Sequence, residues 1–300
     1  PQDPATAQRL QAHFEELLTG GRLSSVALDS QVVERARVAL RSASMPVLMY
    51  DRLKLSYRDD TRQALRLDVA AGTGASVLVR RSGAPLSEPV PALYTRAVFD
   101  EIDTRRRYLL VEDFLQDAWV FGGSLPDLRA SGGLVSDVMN LYETDYLNYW
   151  DAIVKDVGIR SATGPQDFID TLGIISSPAS PLKGFLQAVA SNTDLLAPDT
   201  SAAGQAAAQA TSAAASLAAA KLSALKKIIG PGPQGAPPPG TRVTQYFAPI
   251  RQLVTGPPGQ APIDQLLATL AQQYQRLLAT GSGVGQQSAL DPQVQAGMRN

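Results

Sequence analysis

Helical periodicity dominates the distribution of apolar side chains along this chain. At about 100° per residue, the apolar positions between 135 and 157 fall within an arc of about 120°, with polar residues opposite. These positions are Val135, Val138, Met139, Tyr142, Tyr146, Tyr149, Trp150, Ile153 and Val157. We predict a helix over 136–157, with Ser136 as its N-cap and Gly158 just after its end.

Five residues in the middle of this arc, which we call the aromatic seam, have two interpretations: a ligand-stacking platform or a structural core. The aromatic seam consists of Tyr142, Tyr146, Tyr149, Trp150 and Ile153. A platform that stacks on sugars needs exposed rings, whereas the periodicity directs these side chains toward one buried face. We predict that the aromatic seam is structural core.

The same periodicity predicts further helices over 7–19, 30–42, 47–53, 95–105, 108–118, 165–173, 181–192, 246–253 and 262–280. Asp29 or Ser30 is the expected cap of the second of these, and Ser180 caps a helix that starts at Pro181. The period changes only near 64–80, where the segment "LRLDVA" alternates and a turn at 72–74 precedes "SVLVRR". The sequence therefore predicts a mainly α-helical fold, an elongated multi-helix arrangement with a small two-stranded β insert near 64–80.

Composition divides the chain into three parts. Residues 1–198 carry the helical patterns and the β insert, and we predict that they form one helical domain. Alanine dominates 201–220 and proline with glycine dominates 230–240, so 199–241 is predicted to be a linker. Residues 242–300 are predicted to start a second helical unit.

Charge and rare residues exclude several classes of function. The chain has 27 basic and 28 acidic residues, and a net charge of −1 gives no electrostatic basis for binding nucleic acid. The basic run 105–107 lies among acidic neighbours and is expected to form a solvated, compensated face. With no cysteine and one histidine, His13, thiol chemistry and multi-histidine metal sites are excluded; His13 is expected on a helix surface.

The chain contains no recognisable phosphate loop, dinucleotide fingerprint, zinc-protease motif or nucleophile elbow. We predict no catalytic residue, no cofactor, no metal and no small-molecule ligand. One catalytic alternative stays open: Glu143 lies beside the aromatic seam, where burial could raise its pKa and suit a general acid that cleaves glycan strands. No second carboxylate is clearly placed to assist it.

Four stretches, in the same order, resemble the IcmF/TssM family, which comprises large inner-membrane proteins of type VI secretion systems. They are "VERARVALRSASMPVLMYDRL" at 33–53, "VPALYTRAVFDEI" at 90–102, "LYETDYLNYWDAIVKDVGI" at 141–159 and "SSPASPLKGFLQAVASNTDL" at 176–195. The helical segments at 243–254 and 261–279 are similar in style. The second stretch departs from the family pattern at Ala92, where the family has glycine, and at Phe99.

The resemblance implies a periplasmic, mostly helical segment of a trans-envelope structural scaffold that is not an enzyme. Its partners would be other secretion-complex subunits: an inner-membrane partner, further copies of the same protein, and an outer-membrane lipoprotein. The family contacts that lipoprotein through a later β-rich domain preceded by a "GRYPF"-like motif, which this chain lacks. We expect this chain, which begins at Pro1, to be part of a longer protein with its membrane anchor elsewhere. A helical adaptor unrelated to secretion is the alternative.

Overall fold

The computed structural model describes residues 9, 11–16, 29–42, 44–60, 65–116, 132–197, 219, 220, 223, 224, 227 and 235–281. Helices predominate among them, which confirms the predicted fold class. The helices are α1 (Ser30–Ser42), α2 (Met45–Tyr57), α3 (Leu67–Ala71), α4 (Arg96–Glu101), α5 (Arg107–Gln116), α6 (Gly132–Asp156), α7 (Pro165–Ile175), α8 (Pro181–Thr193), α9 (Thr241–Tyr246), α10 (Ala248–Val254) and α11 (Pro262–Gly281). A π-helical segment, Ile102–Arg106, joins α4 to α5. The strands are β1 (Leu65–Arg66), β2 (Leu78–Arg80), β3 (Pro89–Val90) and β4 (Val157–Ile159).

Helix α6 is the central element of the described core. It has 25 residues and packs against α2, α5, α8 and α9. It begins at Gly132, one turn before the predicted start, so the prediction that Ser136 is its N-cap is wrong. Gly158 does not terminate the helix either, because the chain enters β4 directly after Asp156 and Gly158 pairs with Val79 of β2.

Two other predicted caps have different outcomes. Asp29 caps α1, since its Oδ1 accepts hydrogen bonds from the backbone N–H groups of Gln31 (2.9 Å) and Val32 (3.2 Å). Pro181 begins α8 as predicted, but Ser180 makes no side-chain cap. Its hydroxyl is buried and has no hydrogen-bond partner among the described residues.

The region 64–80, where a strand pair was predicted, does contain strands, but these strands do not pair with each other. β1 pairs antiparallel with β3, and β2 pairs antiparallel with β4, giving two separate two-stranded sheets. Between them, 67–71 forms the helix α3 rather than a strand. The segments on either side of the turn at 72–74 therefore pair with strands elsewhere in the chain and not with each other.

Packing against α8 explains why 67–71 is helical. Leu67 and Ala71, four residues apart, are both buried and lie on the same side of α3. Gly184 of α8 allows this close approach, because a Cβ there would lie 2.5 Å from the carbonyl oxygen of Ala70. Tertiary packing has overridden a local alternation of only three apolar residues.

The segment 235–281 contacts the helices that precede it. α9 packs on α6, α10 on α8, and α11 on α7. Val243 and Phe247 are buried in the same core cluster as the aromatic seam. Two ion pairs join the segment to α8 and to the turn that follows it, Lys183 with Asp264 (2.5 Å) and Arg251 with Asp194 (3.3 Å). The boundary predicted at 241/242 stays a prediction, as does the predicted linker, most of which lies outside the described residues.

Candidate functional site

The aromatic seam lies along the buried face of α6. The side chains of Tyr142, Tyr146 and Trp150 have no exposed surface, Ile153 is 4% exposed, and Tyr149 is half-buried. Tyr142 packs edge-on against Tyr146, with ring centroids 5.8 Å apart, and Trp150 packs edge-on against Tyr149 at 6.1 Å. The rings of Tyr142, Tyr146 and Trp150 therefore present no open face to a ligand.

The polar atoms of three aromatic seam residues, Tyr142, Tyr146 and Trp150, donate hydrogen bonds to backbone carbonyls of other segments. The hydroxyl of Tyr142 donates to the carbonyl of Leu93 (2.6 Å), and Trp150 Nε1–H donates to the carbonyl of Tyr94 (2.9 Å). The hydroxyl of Tyr146 donates to the carbonyl of Asn192 at the end of α8 (2.5 Å). Burial raises the pKa values of these phenols, so they stay protonated at neutral pH and act as donors. Tyr142 and Trp150 therefore join α6 to the segment at 93–94, and Tyr146 joins it to the end of α8.

Tyr149 completes the aromatic seam at its solvent-facing edge. Its ring stacks on that of Tyr94, with centroids 4.5 Å apart and an interplanar angle of 16°. Burial raises the pKa of Tyr149 to about 12. The Tyr94 ring therefore lies against Tyr149 while its own carbonyl accepts the Trp150 bond.

Glu143, the proposed general acid, is buried beside the aromatic seam and is only 5% exposed. Its Oε1 accepts a hydrogen bond from the backbone N–H of Gly240 (2.8 Å), and no described Lys or Arg nitrogen lies within ion-pair distance. Burial raises the pKa of Glu143, and Asp103 adds to the effect, while the Gly240 bond and the charge of Arg242 oppose it. Glu143 thus links α6 to the start of α9 across 97 positions of sequence.

A cavity of about 390 Å³ adjoins Glu143 between α6 and the proline-rich turn before α9. Its wall includes Arg107, Asp137, Arg242 and the prolines at 237–239. Arg107 is paired with Asp103 at 3.0 Å, so its charge is already compensated within the protein. The cavity offers a second carboxylate, Asp137, but the hydrogen bond from Gly240 occupies one oxygen of Glu143. That arrangement suits a structural link better than an acid–base pair.

Other residues considered from the sequence do not converge on a site. His13 is exposed on a helix over 11–16. In the basic run, Arg106 pairs with Asp113 (3.3 Å), a second ion pair on this face beside that of Arg107. Among the described residues, no group of three His, Cys, Asp or Glu side chains could hold a metal ion, and no helix there combines the length and apolar character that a membrane crossing requires.

Sequence reasoning missed Gly240 and the prolines that precede it. Gly240 has φ +86°, and a Cβ there would lie 2.7 Å from Leu195 Cβ and 2.9 Å from Phe99 Cζ. The only signal in the sequence is a glycine that follows three prolines, which is typical of linkers. Its partner Glu143 is too distant in sequence to be inferred from any local pattern.

Comparison with known proteins agrees with the resemblance described above. A family model described as "IcmF-related: Intracellular multiplication and human macrophage-killing" matches residues 1–194. The chain belongs to the IcmF/TssM family. It is 30% identical over 291 residues to the type VI secretion system component TssM1 of Pseudomonas aeruginosa, an alignment that covers 94% of this chain and 26% of TssM1. The chain therefore spans about a quarter of that relative's length. No solved structure matches the chain.

The pH dependence of stability is expected to report the burial of Glu143. Because folding raises its pKa above the ordinary 4.5, the folded state binds the proton more tightly than the unfolded state. This contribution is fully present below that ordinary value and is lost as pH rises through the raised pKa. We expect Glu143→Gln to remove this contribution to stability. The parent Tm minus the variant Tm should therefore increase by about 1–3 °C as the pH falls from 7.5 to 4.5.

Two carboxylates with lowered pKa values do not obscure this comparison. Arg80 and Ser82 lower the pKa of Asp156 to about 2, and Arg160 lowers the pKa of Asp167. Both carboxylates therefore lose their stabilising effect only at pH values below those scanned. Thermal scans of both proteins in the same buffers provide the measurement. A Tm difference that stays constant, or that shrinks toward pH 4.5, would contradict the assigned burial of Glu143.

Proposed function

We propose that this chain is a periplasmic, helical segment of a scaffold protein in the trans-envelope complex of a type VI secretion system. The observation that carries the proposal is the similarity to TssM1, which extends over 94% of the chain. Family membership also favours this function over a helical adaptor unrelated to secretion. A scaffold requires a stable body with surfaces for other subunits, and it requires no chemistry of its own.

The internal connections of the core support a structural role. The hydroxyls of Tyr142 and Tyr146 and the indole N–H of Trp150 all donate to backbone carbonyls of this chain. Glu143 has the same kind of partner, the backbone N–H of Gly240. The side chains that are candidates for ligand binding or catalysis, Tyr142, Tyr146, Trp150 and Glu143, thus connect segments that are distant in sequence.

The proposed partners are other subunits of the secretion complex. They comprise an inner-membrane partner, further copies of the same protein, and an outer-membrane lipoprotein contacted through a C-terminal domain outside this chain. A net charge of −1 gives no general attraction for nucleic acid. We propose no small-molecule ligand and no cofactor for this segment.

Glycan cleavage is the second candidate, favoured by the raised pKa of Glu143 and the adjoining cavity. One substitution tests both functions. In the full-length protein, Glu143→Gln is expected to support secretion at the parent level, because glutamine keeps an oxygen that accepts the Gly240 bond. The purified chain is expected to release no soluble muropeptides from peptidoglycan.

Loss of secretion in the Glu143→Gln protein, together with muropeptide release by the purified parent chain, would contradict the scaffold proposal. Muropeptide release by the parent chain that Glu143→Gln abolishes would assign a glycan-cleaving activity. Glu143→Asp is a suitable control, because it keeps the charge but shortens the side chain. A structural link tolerates the neutral glutamine better than the shorter aspartate, whereas a general acid requires an ionisable group.

A further inference from the structure

The sheet formed by β2 and β4 has one edge that is open for pairing. Backbone hydrogen bonds join Arg81 N–H to Asp156 and Arg160 N–H to Val77, each 2.8 Å long, and the register places Val79 opposite Gly158. In an antiparallel pair, alternate residues direct their backbone groups toward the partner strand. The N–H and C=O groups of Ile159 therefore point away from β2.

The two outer edges of this sheet differ. On β2, the N–H of Leu78 donates to the carbonyl of Ala75, and the carbonyl of Arg80 accepts from Gly83 N–H (3.0 Å). On β4, the N–H and C=O of Ile159 have no hydrogen-bond partner among the described residues. The β2 edge is closed by its own turns, and the β4 edge can accept another strand.

The side chain of Ile159 indicates that the sheet is incomplete on this side. Ile159 is the register partner of Leu78, so both side chains lie on the same face of the sheet. Leu78 is 4% exposed, whereas Ile159 is 50% exposed. A strand added along β4 would place a side chain beside Ile159 and extend the buried face outward.

The charge next to this edge favours an acidic partner. Arg81 is exposed, and its Nε lies 3.3 Å from the position that a Cβ on Gly158 would occupy. No described carboxylate lies within ion-pair distance of Arg81, whereas the neighbouring Arg80 and Arg160 are paired with Asp156 and Asp167. A second copy pairing through the same edge would bring two uncompensated Arg81 side chains onto one face, which opposes self-association.

We propose that the β4 edge binds an extended segment of a partner polypeptide as a third strand. The segment carries an apolar side chain that covers Ile159 and a carboxylate that reaches Arg81. Main-chain hydrogen bonds supply affinity in this mode of recognition, and alternate side chains supply specificity. The edge is only three residues long, which limits indiscriminate pairing and suits one short strand.

A synthetic heptapeptide of alternating aspartate and valine, with blocked ends, is the probe. It is added to the 300-residue chain, and amide hydrogen exchange at Ile159 is followed by NMR. We expect saturating peptide to slow this exchange at least tenfold. The matched peptide with lysine in place of aspartate is expected to bind at least tenfold more weakly, because it repels Arg81.

Two variants establish that binding occurs at the edge. Ile159→Pro removes the outward N–H without touching the inward bonds of Gly158 and Arg160, as edge strands tolerate, and it should abolish binding. Ile159→Val keeps the N–H and should retain binding. If the proline variant fails to fold, Arg81→Glu replaces it, and the preference should reverse toward the lysine peptide.

Three results would overturn the proposal. Unchanged exchange at Ile159 under saturating aspartate peptide would show that the edge accepts no such strand. Equal binding by the folded proline variant would place the peptide elsewhere. A concentration-dependent dimer that Ile159→Pro abolishes would show that the occupant is a second copy of this chain.

Discussion

Replacing Trp150 with alanine is expected to lower the free energy of unfolding by about 3–5 kcal/mol. The indole has no exposed surface, so truncation leaves a cavity in the middle of the core. It also removes the donor to the Tyr94 carbonyl, leaving that acceptor without its partner. Denaturant unfolding of the purified chain provides the measurement.

A matched control separates burial from the general effect of removing an aromatic ring. Phe14, on the described helix over 11–16, is 61% exposed, and Phe14→Ala should change stability by no more than about 0.5 kcal/mol. If the free energy of unfolding of the Trp150→Ala variant also lay within about 0.5 kcal/mol of the parent value, Trp150 would not be a core residue. It would then be a candidate for a surface that contacts a partner.

Replacing Gly240 with alanine is expected to cost about 2–5 kcal/mol, for two reasons that add. A non-glycine residue at φ +86° costs about 1–2 kcal/mol. The new Cβ would also lie within 3 Å of side-chain atoms of Leu195 and Phe99, and such overpacking costs about 1–3 kcal/mol. Relief of these contacts would move the Gly240 N–H away from Glu143.

Gly235 provides a control within the same segment. It has φ +83°, but a Cβ there would meet no atom within 4 Å. Gly235→Ala should therefore carry only the conformational cost of about 1–2 kcal/mol. Equal losses for the two variants would mean that the close contacts of Gly240 contribute nothing, and that the segment before α9 does not pack as described.

Periodicity predicted the helices because a long amphipathic pattern repeats the same signal many times. Over 135–157 the apolar positions define one face without reference to any other element. The start of α6 was harder to predict, because Ser136 is a plausible cap residue while the preceding glycines give no helical signal. Asp29 was a clearer case, since a carboxylate directly before a periodic segment has one obvious use.

Strand pairing and the surroundings of Glu143 could not be predicted, because each depends on contacts between distant parts of the chain. The partner of β2 lies after α6, and nothing in 78–80 specifies it. Three alternating apolar residues at 65–69 are compatible with either a strand or the short helix α3, and packing against Gly184 decides between them. The carboxylate of Glu143 was recognised, but its bond to Gly240 follows only from the folded structure.

The proposal that this segment is a periplasmic scaffold is tested most directly by the side of the inner membrane on which it lies. The chain contains no cysteine, so a single one introduced into it is the only thiol of this segment. Val69, 67% exposed on α3, is replaced by cysteine in the full-length protein, with the cysteine variant of fully buried Leu53 as control. A membrane-impermeant maleimide is then added to cells with a permeabilised outer membrane and an intact inner membrane. A periplasmic position predicts labelling at position 69 and none at position 53; labelling at position 69 only after the inner membrane is lysed would contradict it.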